Sequence, residues 1–429
     1  MHVTTLGCSK NLYDSEILMG QLKANDARFT DDPRQADVLI VNTCGFIAPA
    51  KEESIDAILE AGKIKQQQPE KKLLVCGCLS QRYQPDLQKD IPEVDAYFGT
   101  EDFQNILQYL NITPESPEHL YEHRYLSQQK HFAYLKISEG CNHKCAFCAI
   151  PLMRGQHRSR RMDEIVNEAR LLARQGVKEL ILIAQDTTFY GLDLYRKQRL
   201  TDLLWELEKI DGIEWIRIHY AYPTTFRSEL VDVMAKSEKI VHYLDLPVQH
   251  ISDPVLKIMK RGGTSRRIRS ILNEVRERIP DAALRTTLIV GHPGESEQDF
   301  QILKDFVREI RFDRLGVFTY SPEENTAAFH LPHPEKEMAV ARHTEIMEIQ
   351  QQISYEKNRD KIGSTLRVLI DEYHPESATA IGRSYADSPD IDNEVVIEKV
   401  TQKIKPGDFY TVRVERAGEY ELFGKILEE

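Results

Sequence analysis

Three cysteines fall within eight residues of this 429-residue chain, in the run CNHKCAFC, where Cys141, Cys145 and Cys148 stand in a C-x3-C-x2-C spacing. The run follows a strand-like segment, AYLKIS (133–138), at the end of a strand from which the active-site loops of βα barrels emerge. Three thiolates on one short loop can meet three irons of a 4Fe–4S cluster, leaving the fourth iron open to a small ligand. Zinc is the other reading, but a structural zinc site ordinarily takes four protein ligands. His143 lies between two of the cysteines, where it would join a tetrahedral set only awkwardly; it reads as a loop residue with no catalytic duty.

Five further strand-like runs follow with helical patterns between them: ELILIA (179–184), EWIRIHY (214–220), HYLDLPV (242–248), LRTTLIV (284–290) and LGVFTY (315–320). Six βα units in succession make a partial barrel rather than the complete eightfold one. A long polar helix pattern, 335–359, closes this part. Ahead of it, strand-like runs at 2–6, 37–41 and 72–76 alternate with helices, the pattern of an open parallel α/β sheet. A polar, proline-containing stretch, 111–122, has the composition of a linker. Beyond residue 362 the texture changes to five short strand-like runs separated by turn residues, which fits a small antiparallel β-barrel of the OB type. The expected fold class is therefore α/β, in three domains: 1–115, 125–362 and 363–429.

The cysteines number seven, and none lies beyond Cys148. An odd count, with no signal-peptide pattern in MHVTTLGCSKN, argues for reduced thiols used as ligands. With a mean hydropathy of −0.46 and no long apolar run to span a membrane, the expected location is the cytoplasm. Cys8, Cys44 and Cys78 are separated by 36 and 34 residues, about one βα unit each. Each sits at or just past the carboxyl end of a strand-like run. In an open α/β sheet those ends line one crevice, and the helix N-termini that follow favour thiolates. Small buried core cysteines are the alternative. Cys76, inside its strand run, reads as core.

The C-x3-C-x2-C spacing, with Phe147 just before the last cysteine, resembles the signature of the radical S-adenosylmethionine (SAM) superfamily. GCSKNLYDSE, NTCGFIAPAKEES and CGCLSQRY are similar, in order, to the three cysteine motifs of the methylthiotransferase N-terminal domain. The chain is thus identified as a member of the radical SAM methylthiotransferase family. That resemblance implies a SAM-binding 4Fe–4S cluster on Cys141, Cys145 and Cys148, and an auxiliary 4Fe–4S cluster on Cys8, Cys44 and Cys78. It also implies a C-terminal TRAM barrel and a low-potential electron donor such as a flavodoxin or ferredoxin. Gln185 and Asp186 in LILIAQDTTFYG, and Gln249 and His250 in LDLPVQHISDPVLKIMKRG, resemble the branch that modifies an aspartate of ribosomal protein S12 at its β-carbon. The sister branch modifies a tRNA adenosine. Candidate contacts to SAM or substrate are Phe147, Gln185, Asp186, Gln249, His250, Arg154 and Arg285, with Gly291 in TTLIVGHPGES allowing close backbone approach.

Charge bears on the choice of branch. Residues 363–429 hold 8 Lys and Arg against 14 Asp and Glu, a net of −6 within the chain's −12. A barrel built to bind RNA presents a basic face. An acidic one suits the steering of a basic partner such as S12. The basic run RGQHRSRR (154–161) stands on the other side of that argument.

Overall fold

The computed structural model describes residues 1–113, 121–401 and 403–427. Most of the linker expected over 111–122 lies outside the described residues. The N-terminal sheet is parallel throughout, in the order β1 (His2–Thr5), β2 (Val38–Thr43), β3 (Lys72–Gly77) and β4 (Ala96–Tyr97). The fourth strand is two residues long, too short to leave a periodicity in the sequence. VLIVNT in β2 is buried along its whole length, as the interior of a parallel sheet requires. The helices α1 (Ser9–Ala24), α2 (Ala48–Gln67) and α3 (Cys78–Asp90) rise from the carboxyl ends of β1, β2 and β3, and α4 (Phe103–Tyr109) follows the last strand.

The central sheet uses β5 (Phe132–Lys136), β8 (Glu179–Ile183), β9 (Trp215–Ile218), β10 (Ile240–Asp245), β11 (Ala283–Val290) and β12 (Arg314–Thr319). All run parallel, in the order β12-β11-β10-β9-β8-β5. It is the partial barrel of six βα units, open between β5 and β12. A small hairpin of β6 (Ser138–Glu139) and β7 (Arg158–Ser159) brackets the cysteine loop, which holds the five-residue helix α5 (Ile150–Arg154); α6 (Met162–Arg174) follows β7. Outward-facing Leu135, Leu182, Ile216, Leu244 and Leu288 pack with Ile165, Leu203, Val231 and Phe306 of the surrounding helices in one core. Inward-facing Phe132, Tyr134, Ile181 and Ile183 instead meet Tyr13 and Ile17 of α1. The N-terminal domain thus covers the open flank at β5.

Five strands, β13 (Thr365–His374), β14 (Thr379–Arg383), β15 (Glu394–Ile397), β16 (Phe409–Ala417) and β17 (Glu421–Ile426), form a closed C-terminal barrel. Four of its pairings are antiparallel, and the β15–β17 pair runs parallel. This barrel sits beneath the amino ends of the central strands. Trp215 packs edge-on against Phe409 at 4.8 Å, within a cluster that also holds Val241, Tyr243, Ala283 and Leu369. The β14–β15 loop enters the floor of the central barrel: Ser388 Oγ lies 2.9 Å from His219 Nε2, and Tyr243 donates to Asp392 at 2.6 Å. Buried Glu179 accepts from Arg217 and Arg383, each at 2.7 Å. Part of the acidity read as outward-facing is therefore internal. Asp371 meets His131, Asp387 meets Arg314, and Asp392 meets Arg285.

Candidate functional site

The loop carrying Cys141, Cys145 and Cys148 is pinned on several sides. Cys141 N donates to Gly155 O at 3.1 Å, Cys148 N to Cys145 O at 3.2 Å, and Ala146 N to Met259 O at 2.7 Å. Cys145 Sγ lies 3.6 Å from both Tyr222 OH and Arg261 Nη1. The Arg261 guanidinium stands 4.1 Å over the Tyr222 ring. On the loop's other side the His143 ring stacks on Tyr222 at 3.7 Å, and its Nε2 lies 2.7 Å from Asp186 Oδ2. Burial pushes the Cys141 thiol up to about 11 and the Cys148 thiol up to about 12. These thiols are protonated at neutral pH until a metal group displaces their protons.

The second triad forms where three loops converge. Cys8 caps α1, Cys44 follows β2, and Cys78 opens α3. Gly7 (φ +91°) lies so close to Cys44 that a Cβ there would stand 2.7 Å from Cys44 Cβ; only glycine fits. Asn11 ties the loops together by donating to Leu6 O at 2.8 Å and Thr43 O at 2.9 Å. Its Oδ1 lies 3.7 Å from Cys78 Sγ. Burial pushes the Cys78 thiol up to about 12, against the pull of nearby Arg154. Cys76 faces Leu18, Ile40 and Phe98 within the sheet's other core layer. Among the described residues no three His, Cys, Asp or Glu side chains are gathered tightly enough to clasp a single ion. With Zn–S bonds near ~2.3 Å, tetrahedral zinc would draw its sulfurs far closer together than an iron–sulfur cluster does. The donor set of each triad, three thiols with an arginine beside them, fits a cluster with one iron free.

Helix α5 joins the two triads. It starts two residues after Cys148, and Met153 and Ala149 pack against Cys78. Arg154 is buried there and donates to Asn11 Oδ1 at 2.6 Å, Asp14 Oδ2 at 3.0 Å and Glu139 Oε2 at 2.9 Å. Lys136 meets the same two carboxylates, at 2.5 and 2.7 Å. Gln185 Nε2 donates to Glu139 Oε1 at 2.8 Å, while its own Oε1 is buried without a partner among the described residues.

The remaining candidates divide by what they touch. Gln185 and Phe147 stay beside the cysteine loop, Phe147 edge-on to His292 at 6.3 Å. Asp186 is buried, and it accepts from Thr188, Thr225 and the Phe189 amide as well as contacting His143. It orients the loop rather than facing open space. His143, read as a loop residue without duty, is one of that loop's supports. Arg154 and Arg285 were expected to offer charge to a ligand carboxylate. Arg154 is taken up by Asp14 and Glu139, and Arg285 by Asp245 at 2.9 Å and Asp392 at 3.4 Å. His250 is fully buried and accepts from the Ser252 amide at 3.0 Å. Gln249 extends the sheet through its backbone, with its N donating to Thr287 O at 2.8 Å and its O accepting from Ile289 N at 2.8 Å. Gly291 (φ +69°) leaves room for the long helix Lys336–Asp360, since a Cβ there would stand 2.5 Å from Ala339 Cβ. Sequence reasoning missed Tyr222, Arg261, Asp14, Lys136 and Glu139. Asp14 lies within the first cysteine motif but carries no signal of its own there, the other four stand outside the cysteine motifs, and only the fold brings them to the site.

Residues 1–99 match the uncharacterized protein family UPF0004, residues 135–307 the radical SAM superfamily, and residues 362–427 the TRAM domain. The ribosomal protein uS12 methylthiotransferase RimO of Christiangramia forsetii is 52% identical over 428 residues, covering 100% of this chain and 94% of that protein. Its namesake from Aquifex aeolicus is 49% identical, covering 99% of this chain and 97% of that one. Among solved structures, the radical SAM methyltransferase TsrM of Kitasatospora setae, with cobalamin and a 4Fe–4S cluster bound, aligns with a TM-score of 0.55. The identity is 13%, over 76% of this chain and 77% of that one, a likeness of fold alone.

Proposed function

Because the chain belongs to the ribosomal protein uS12 methylthiotransferase family of radical SAM enzymes, we propose that it adds a methylthio group to the β-carbon of an aspartate of ribosomal protein S12. The reading rests on one observation above the rest: α5, which begins two residues after Cys148, packs Met153 against Cys78 and so ties the two three-cysteine sets together. Cys141, Cys145 and Cys148 would hold the 4Fe–4S cluster that binds SAM, and Cys8, Cys44 and Cys78 the auxiliary one. Bound there, these groups would supply hydrogen-atom abstraction and the sulfur, chemistry that no side chain performs at an unactivated C–H bond.

The chain's own residues supply position and charge. Arg261 keeps a cation beside Cys145, and the buried Oε1 of Gln185 offers an acceptor to the amino group of SAM. Phe147 lines the same loop. Asp186 and His143 hold the loop's shape. Gln249, His250, Arg154, Arg285 and Gly291 act on the frame around it, by the contacts described above. In this reading the domains divide as 1–115, 125–362 and 363–429, and the exposed acids of the last, among them Glu376, Glu394 and Glu419, guide basic S12 to the site. Electrons come from a low-potential donor such as a flavodoxin or ferredoxin. Among the described residues no helix is long and apolar enough to cross a membrane, in keeping with work in the cytoplasm.

The test is substrate choice. Reduced, cluster-replete protein is given SAM and sulfide under anaerobic conditions, with S12 and unmodified tRNA in parallel, and each is weighed by mass spectrometry. A methylthio increment on an S12 aspartate supports the proposal. An increment on tRNA alone overturns the substrate and leaves the radical chemistry standing.

A further inference from the structure

Every buried lysine and arginine among the described residues meets a carboxylate, with three exceptions: Lys10, Lys71 and Arg261. Lys71 donates to the carbonyls of Arg34 and Ala36, at the far end of the N-terminal sheet. Arg261 is taken up by Pro247 O and Cys145 Sγ. Lys10 alone has neither a carboxylate nor a carbonyl. Only 8% exposed, it is the second residue of α1, two after Cys8, and its Nζ stands 3.1 Å over the centre of the Tyr220 ring.

Two further features set this lysine apart. It occupies the first turn of a helix that carries no acid there, where the helix dipole opposes a positive charge. The ring beneath it belongs to a residue held in the left-handed region (φ +59°), a conformation that bulky residues rarely adopt and that surrounding structure must maintain. Tyr220 is fixed from both sides: its N donates to Asp245 Oδ2 at 2.9 Å, and its O accepts from Thr187 N at 3.1 Å. It follows β9 at the carboxyl ends of the central strands, the end where the cysteine loops lie. A buried ammonium held over a ring, with every nearby acid already engaged, is a prepared site for an incoming anion.

From this placement we infer that Lys10 binds the side-chain carboxylate of the substrate aspartate and so presents its β-carbon to the site. The inference rests on the aspartate-modifying reading above. The β-carbon is bonded directly to that carboxylate, so gripping the carboxylate fixes the carbon within a bond length. A carboxylate entering a buried site also needs a cation to replace its water. The other carboxylate at the site, the methionine carboxylate of SAM, falls to the Cys145 side, where Arg261 stands.

The test compares binding of S12 with binding of S12 whose target aspartate is replaced by asparagine, by holoenzyme under anaerobic conditions. Lys10→Met keeps the stem over Tyr220 and removes the charge, while Lys10→Arg keeps the charge. Iron content and circular dichroism of each variant confirm that it is assembled. The natural chain should prefer the aspartate form by about tenfold to a hundredfold, the range of a hydrogen bond to a charged group. That preference should fall to near unity in Lys10→Met and return in part in Lys10→Arg. An undiminished preference in an assembled Lys10→Met overturns the inference. So does a loss of SAM affinity with the preference intact, which would give Lys10 to the methionine carboxylate. If the natural chain binds neither form of S12, the substrate reading itself fails, and the inference with it.

Discussion

Arg154 reaches Asn11 across the boundary between the first two domains, Nη2 to Oδ1 at 2.6 Å. Arg154 ends the helix that begins just after Cys148, and Asn11 lies against Cys78. The separation of the two cysteine triads is thus set by a five-residue helix and a buried lattice of charge rather than by the interdomain linker. Asp14, Glu139, Lys136 and Arg154 compose that lattice, two anions against two cations, all buried.

Breaking the lattice should have two separable effects. Removing one member of a buried ion pair leaves an uncompensated charge and costs about 3–5 kcal/mol. Both Lys136→Met and Arg154→Met should lower the unfolding free energy of the apoprotein, read from its urea midpoint and slope, by that order. Only Arg154 touches Asn11 and sits beside Cys78, so only its replacement should also alter the electron paramagnetic resonance spectrum of the cluster proposed for Cys8, Cys44 and Cys78. Equal spectra for both variants would remove Arg154 from the triad's environment.

The lattice also sets an acid limit. Burial alone would raise the Glu139 carboxyl, but Lys136 and Arg154 outweigh it and hold the group down at about 2, against an ordinary 4.5. A depressed carboxyl contributes stability that is fully present above its unfolded value and is lost as pH falls through its folded one. The stability of the natural chain should therefore decline from about pH 4.5 towards about 2 more steeply than that of Glu139→Gln. Parallel slopes for the two chains, measured by urea midpoint at each pH, would contradict this.

The ligand assignment is checked by iron content. Cys145→Ala or Cys78→Ala should each reduce the reconstituted protein from about eight irons to about four. Cys76→Ala should leave the iron unchanged and cost only the packing of a small buried side chain. If Cys76→Ala loses iron while Cys78→Ala does not, the second triad is misassigned.

The gathering of these cysteines was legible because three of them stand within eight residues of one loop, and because the carboxyl ends of parallel strands, where Cys8, Cys44 and Cys78 lie, converge wherever the sheet pattern is read correctly. Six hydrophobic runs gave the six central strands; β4, with two residues, gave no periodicity to read. The acidic C-terminal composition was visible, but its disposition was not. Asp387 and Asp392 belong by sequence to a solvated loop and by structure to the floor of the central barrel. Arg285 and Arg154 show the same limit. Sequence marks a charge but not its partner, and both arginines find theirs on distant segments.

The floor of the barrel supplies the last prediction. Arg217 is fully buried, and Glu179 is its carboxylate partner, shared with Arg383 of the C-terminal barrel. Glu179→Gln would leave Arg383 with Asp371 but Arg217 without a counter-ion, a loss of about 3–5 kcal/mol. Because Arg217 also donates to Tyr385 O, the loss should fall on the docking of the two barrels. Trp215 reports on that contact directly, being buried against Phe409, whereas Trp205 is 38% exposed in either case. Its fluorescence should therefore shift red at distinctly lower urea in Glu179→Gln. Glu214→Gln, which breaks only the exposed ion pair with Arg367 and leaves the Arg367 guanidinium over the Phe409 ring, should change the unfolding free energy by under about 0.5 kcal/mol, as loss of a surface pair does. If the two variants shift the Trp215 transition equally, the buried charges do not hold the barrels together, and the apolar cluster around Trp215 and Leu369 carries that contact by itself.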